Sequence, residues 1–159
     1  MIGEYLPLAH NNHVVDRVNK DIHPLYGDPK EYYLDLAKDW KDPYGIPVVD
    51  RIDNVRVVRD DYLVGSKCRG GDCLISFLPS RVDTIVYVQP RTGLAGVSLL
   101  DVANRHDLSV KLFMPSSKRI SDHQACCIER GAKAEFHRIA AMPNLNKIAK
   151  DWADQYKNT

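Results

Sequence analysis

The sequence predicts an α/β fold: an open parallel sheet of about four strands with helices on both faces, preceded by an irregular N-terminal arm. Three observations carry that expectation. From Val55 onward, short apolar runs alternate with amphipathic stretches, the runs are rich in β-branched residues, and the connections between them are short. Strands alternating with helices over short connections build a parallel sheet that is covered on both sides.

The expected elements follow in order. The segment VRVV at 55–58 reads as the first strand, and TIVYV at 84–88 is a β-branched run of the kind buried in parallel sheets. Residues 93–105 are helical in pattern, with Leu94, Val97, Leu100 and Ala103 or Asn104 on the packed side. VKLFM at 110–114 is a third strand, closed by Pro115. Ser121 or Asp122 caps a helix that runs to about Arg130, where Gly131 stops it. KAEFH at 133–137 is the fourth strand, and Asn144 to Tyr156 form the last helix. Residues 51–159 are thus expected as one α/β domain. Residues 1–50 are the arm, rich in turn formers, with one short helix between Pro29 and Trp40 on which Tyr32, Tyr33, Leu36 and Trp40 share a side.

Composition narrows the function classes. A chain of 159 residues can bury a real core. With 22 basic and 21 acidic side chains the net charge is +1, so no bulk attraction to nucleic acid or membrane is expected. No apolar run approaches the roughly 18 residues of a membrane helix, and MIGEYLPLAHNNH does not read as a signal peptide. A cytoplasmic protein is the expectation. Cys68, Cys73, Cys126 and Cys127 lack zinc-knuckle spacing and are read as reduced thiols. His10, His13 and His23, with Asp16 and Asp21, are too irregularly spaced for a metal cluster and are read as surface residues. No metal is expected.

Two segments carry the candidate chemistry. In RDDYLVGSKCRGG, 59–71, Lys67 follows a Gly-Ser turn. Such a lysine is ordinarily a solvated surface residue. Taken out of water it becomes the neutral amine that condenses with an aldehyde, and Gly70 and Gly71 leave room for a planar group near the backbone. In QPRTGLAGVSLL, 89–100, Thr92 and Gly93 feed a helix directly after a strand. The backbone N–H groups of a helix start suit a carboxylate or phosphate, although the segment is neither a dinucleotide fingerprint nor a P-loop.

Together these segments resemble fold-type II pyridoxal-phosphate (PLP) enzymes. Arg59-Asp60-Asp61 followed by Gly65-Ser66-Lys67-Cys68-Arg69-Gly70 is similar to the lysine motif of the D-cysteine desulfhydrase, aminocyclopropane-carboxylate deaminase and threonine dehydratase branches. Downstream, Thr92-Gly93, Met114-Pro115 and Gly131-Ala132 fall in the order and spacing of the next family segment, and the resemblance spans roughly 55–156. It resembles the small domain of such enzymes, including the tryptophan synthase β-like group. The resemblance implies Lys67 as the Schiff-base lysine of PLP, with Thr92 and Gly93 binding the carboxylate of a small amino-acid-like substrate. Arg69 is implied as a structural support of the lysine segment. The expected activity is that of a PLP-dependent lyase or deaminase.

Two departures qualify what is implied. Arg91 stands where the family has an asparagine beside the cofactor ring, and as a cation it suits the cofactor or an anionic substrate instead. No glycine-rich phosphate cup follows residue 131, so a homo-oligomer or a second segment is expected to complete the site. The alternative is a cofactor-free relative acting as a binding or assembly module. A third option is an unrelated α/β enzyme with an anion held at Thr92–Gly93 and clamped by Arg91. A nucleic-acid partner draws no support from the net charge.

Overall fold

The structure is a computed structural model that describes residues 34, 35 and 37–156. Its elements are β1 (Val49–Ile52), β2 (Val55–Val58), a 3-10 turn (Asp60–Tyr62), α1 (Cys68–Ser76), β3 (Thr84–Val88), α2 (Ala95–Arg105), β4 (Ser109–Pro115), α3 (Asp122–Glu129), β5 (Lys133–His137) and α4 (Met142–Gln155). The fold is α/β, as expected. The boundaries of α2, α3 and α4 fall within two residues of those read from the sequence, whereas α1 was not among the elements expected.

The parallel sheet has the order β3-β4-β5. Thr84 to Val88 pair with Ser109 to Phe113, and Lys111 to Pro115 pair with Lys133 to His137. The side-chain alternation of a strand sends successive residues to opposite faces, so two separate cores form. On one face Ile85, Val110, Leu112 and Met114 pack with Val97, Leu100 and Ala103 of α2 and with Cys127 of α3. On the other face Val86, Val88 and Phe113 pack with Leu145 and Ala149 of α4. Phe113 is fully buried, and truncating such a side chain costs about 3–5 kcal/mol. α1 adds a further layer against α2, where Gly71 would bring a Cβ to 3.6 Å from Val102 Cγ2.

One strand is placed differently from the expectation. Residues 55–58 do not join the parallel sheet; they pair antiparallel with 49–52, with Val49 opposite Val58 and Ile52 opposite Val55. The sheet therefore has three parallel strands among the described residues, not four. The physical reason is local. Asp53 and Asn54 make a two-residue turn, with Asp53 at a φ of 52°, a conformation that Asp and Asn tolerate better than most residues. The hairpin's valines remain largely exposed, unlike a strand covered on both sides.

The segment before the hairpin is tied to the α/β unit. Trp40 Nε1 donates to Asp72 at 2.8 Å, and Tyr44 Oη donates to Asp101 at 3.0 Å. Arg69 pairs with Asp42 and donates to the Gly45 carbonyl at 2.7 Å. Residues 40–45 are thus strapped onto α1 and α2, and β1 begins two residues ahead of the expected domain start at 51. Leu34, Asp35 and Ala37 are helical, in keeping with the end of the helix expected before Trp40. The beginning of that helix, with Tyr32, Tyr33 and Leu36, lies outside the described residues, as do His10, His13, His23, Asp16 and Asp21.

Candidate functional site

In a parallel α/β sheet ligands bind beyond the carboxyl ends of the strands. Here that end carries the β3–α2 loop, the β4–α3 loop and the β5–α4 loop side by side. The register continues past the strands: Gln89 N donates to Phe113 O at 2.9 Å, and Ser116 N donates to His137 O at 2.8 Å.

The β3–α2 loop is organised by Gln89, which is fully buried. Its amide nitrogen donates to the carbonyls of Pro90 and Gly93, each at 3.0 Å, and its Oε1 accepts from Gly96 N at 2.9 Å. One side chain thereby satisfies an early N–H of α2, of the kind a helix start leaves without a partner. Gly93 has a φ of +114°, a region L side chains rarely adopt, and a Cβ there would meet nothing within 4 Å. Thr92 and Gly93 are exposed. The N–H groups of Thr92, Gly93 and Leu94 have no hydrogen-bond partner among the described residues.

A second buried glutamine holds the next loop. Gln124 Oε1 accepts from Ser121 N at 3.1 Å while Ser121 Oγ accepts from Gln124 N at 3.2 Å, the reciprocal capping box of α3. Gln124 Nε2 also donates to Pro115 O at 3.2 Å. The two loops are joined to each other, because Ser121 Oγ donates to the Arg91 carbonyl and Arg91 Nη2 donates to Arg119 O at 3.3 Å.

The lysine segment lies beside this assembly. Gly65 is buried, and a Cβ on it would fall 2.1 Å from Ser98 Oγ and 3.4 Å from Leu94 Cβ. The turn leading to Lys67 is therefore seated on the first turn of α2, directly after the Thr92–Gly93 loop. Lys67 is the N-cap of α1 and is exposed, with no ion pair among the described residues. Next to it, Cys68 points inward and is fully buried in the core. Arg69 donates to Asp60 at 2.8 Å and pairs with Asp42, anchoring the lysine segment to the residues before it. Gly70 faces open space, whereas Gly71 serves the close packing of α1 on α2.

The structure thus brings Lys67, Thr92, Gly93 and Arg91 to one end of the sheet. Sequence reading missed Gln89 and Gln124, since a glutamine after a strand or inside a helix has no distinctive spacing; only the S-x-x-Q pattern at Ser121–Gln124 was available as a sign. It also missed the pairing of Asp72 with Trp40 and His106, whose ring Nε2 lies 2.8 Å from Asp72 Oδ1. Among the described residues no group of three His, Cys, Asp or Glu side chains is placed to hold a metal. All four cysteines are free thiols. Burial pushes the Cys127 thiol up to about 11, with a smaller contribution from Cys126, so it is protonated and inert near neutral pH. No helix among the described residues is long and apolar enough to cross a membrane. Comparison with known proteins finds no family model that matches the chain and no matching curated protein.

Proposed function

We propose that the chain is the lysine-bearing lobe of a fold-type II PLP site, with lyase or deaminase chemistry on a small amino-acid-like substrate in the cytoplasm. One observation carries the reading: the Gly65–Ser98 contact seats the lysine turn beside a helix start whose N–H groups are open. A carbonyl-reactive amine and a carboxylate-binding loop then share the end of the sheet where ligands bind.

The residues present fit one end of the cofactor. Lys67 is exposed and without an acidic partner among the described residues, so an aldehyde can reach it. Thr92 and the backbone at Gly93 would take the substrate carboxylate, aided by the positive end of the α2 dipole. Arg91 would add a cation on the same side. When bound, the cofactor supplies an electron sink for the bond broken at the substrate's α-carbon. Lys67 would hold the cofactor and, once released from it, carry a proton to or from that carbon. A cation exposed to water is a poor base, so burial of Lys67 and a cradle for the phosphate fall to a second copy or a further segment.

The test uses the purified chain mixed with PLP, reduced with borohydride and mapped by mass spectrometry. The reading expects one dominant adduct at Lys67 and its loss in Lys67→Ala. Equal labelling of Lys67, Lys41, Lys118 and Lys133 would mark random surface chemistry and reject it.

The exposure of Lys67 favours a second reading, a cofactor-free binding module built on the same fold. It expects Lys67→Ala to leave biological activity unchanged.

A further inference from the structure

The hairpin of β1 and β2 stands outside both cores. None of its residues joins either one, and Val49, Ile52, Val55 and Val58 are between 51% and 61% exposed. Two short strands alone are marginal in water; a further strand or a helix over an apolar face is what makes such a unit stable. Among the described residues the hairpin has neither, and its two edges differ in what they can accept.

The register fixes which backbone groups point outward. Arg59 N donates to Val48 O at 2.8 Å. By the alternation of an antiparallel ladder, Asp50 with Val57 and Ile52 with Val55 are then the other bonded pairs. The N–H and C=O groups of Val49 and Arg51 therefore face out from β1, and those of Arg56 and Val58 face out from β2. None of these groups has a hydrogen-bond partner among the described residues.

A free edge is a template for another strand. Two copies of one chain joined edge to edge about a twofold axis keep each face of the sheet with itself. Residues directly opposite share a face, and faces alternate along a strand, so the axis must pass between a residue and its own mate. On β1 every such register fails. It opposes Asp50 to Asp50 or Arg51 to Arg51, sets Val49 or Arg51 against Pro47, which has no N–H, or runs into the turn at 53–54. On β2 the register centred on Arg56 also opposes like charges, and those centred on Val55 or Val58 run into the turns at 53–54 and 60–62. Centring on Val57 avoids all of these faults. Val57 then meets the partner's Val57 in a close non-bonded pair. Arg56 meets the partner's Val58 on both sides of the axis, and each exchanges its outward N–H and C=O. The joined sheet is four-stranded, with Ile52, Val55 and Val57 of both copies on one face.

We propose that the β2 edge is a homodimer contact, on which a second copy of this chain pairs antiparallel about Val57. The proposal does not rest on a cofactor at Lys67. The join is small against the ~800 Å² per partner of a standard interface, so association is reversible and set by protein concentration.

The experiment is sedimentation velocity of the full chain over a series from about 1 μM to about 1 mM, with cysteine crosslinking to read the register. The parent should pass from monomer towards dimer across that range. Val58→Pro removes an outward N–H but no bond of the hairpin itself, and with one bond lost on each side of the axis it should weaken the dimer at least fivefold. Val49→Pro, the same change on the β1 edge, should dimerise like the parent. Under mild oxidation Val57→Cys should link copy to copy, because the Cα atoms of a close pair stand about 4.5 Å apart. Val55→Cys should not, since its mate lies about 13 Å away along the strands. Mass spectrometry of the linked peptides separates these bonds from those of the native thiols. A chain still monomeric at the top of the range, equal effects of Val49→Pro and Val58→Pro, or equal linking at positions 55 and 57 would overturn the proposal. Should Val58→Pro unfold, the contrast between positions 57 and 55 decides alone.

Discussion

Gly65 lies so close to Ser98 that a Cβ on the glycine would fall 2.1 Å from the serine hydroxyl oxygen. That hydroxyl donates to the Leu94 carbonyl at 3.0 Å, within the first turn of α2. In Gly65→Ala the hydroxyl must leave this bond, and the new methyl still meets Leu94 at 3.4 Å. A loss of about 1–3 kcal/mol is expected from urea unfolding, the usual cost of crowding a packed site. Adding Ser98→Ala removes the clashing oxygen and should restore at least half of it. Failure of that rescue would mean that the backbone of the lysine turn, not the hydroxyl, carries the strain.

Gln89 makes the companion prediction. Gln89→Leu keeps much of the volume but strands the Gly96 N–H and frees the Pro90 and Gly93 carbonyls from their donor. Unsatisfied buried groups cost about 1–3 kcal/mol each, partly relieved here because the loop borders solvent, so a net loss of about 2 kcal/mol is expected. Hydrogen exchange at residues 90–96 should rise more than in the sheet. Equal rises in both would show that the glutamine supports the whole core, not the loop.

How much of this was legible in the chain depended on the kind of signal. TIVYV and VKLFM announced themselves because a strand covered on both faces needs mostly apolar or β-branched residues, and the burial of Ile85, Val86 and Val88 agrees; KAEFH, a partly exposed edge strand, was readable only from its place after the Gly131 helix stop. VRVV has the same composition, yet its partner was decided by the Asp53–Asn54 turn, a two-residue signal that its apolar character masked. The candidate site was half legible. Lys67, Thr92 and Gly93 could be named from turn chemistry and from the family likeness. Gln89 and Gln124 could not, because a buried amide is recognised by the backbone groups around it, and these come from several segments.

Asp72 ties the segment around Trp40 to the helical layer. It is 3% exposed; Trp40 Nε1 donates to one carboxylate oxygen and the His106 ring lies 2.8 Å from the other. Asp72→Ala leaves the indole N–H and the imidazole without their acceptor, and about 3 kcal/mol of stability should be lost. The chain has two tryptophans; with Trp152 replaced by Phe, the emission of Trp40 should shift to the red as residues 40–45 loosen. Loss of stability with no spectral change would place the defect in α1 and leave the strap intact.

The Lys111–Glu135 pair, 2.7 Å across β4 and β5, gives a pH dependence. The Lys111 ammonium holds the Glu135 carboxyl below its ordinary 4.5, with burial opposing and His137 assisting. A carboxyl depressed in the folded state binds fewer protons there than in the unfolded chain. Its stabilisation is complete above the ordinary value and disappears as pH falls through the lower, folded one. Because Glu135 is 40% exposed, solvent screens the pair and its contribution is about 0.5 kcal/mol. Glu135→Gln should therefore lower the melting temperature by about 1–2 °C near neutral pH, and the difference should vanish in acid. Lys111→Met removes the cation of the pair but keeps an apolar stem against Phe113 and Trp152, over whose rings the ammonium lies at 5.3 and 5.6 Å. Its difference from the parent should narrow at low pH by the ion-pair contribution and keep the part owed to the ring contacts. A Glu135→Gln difference that persists in acid would assign the effect to packing at the sheet edge and not to the charge.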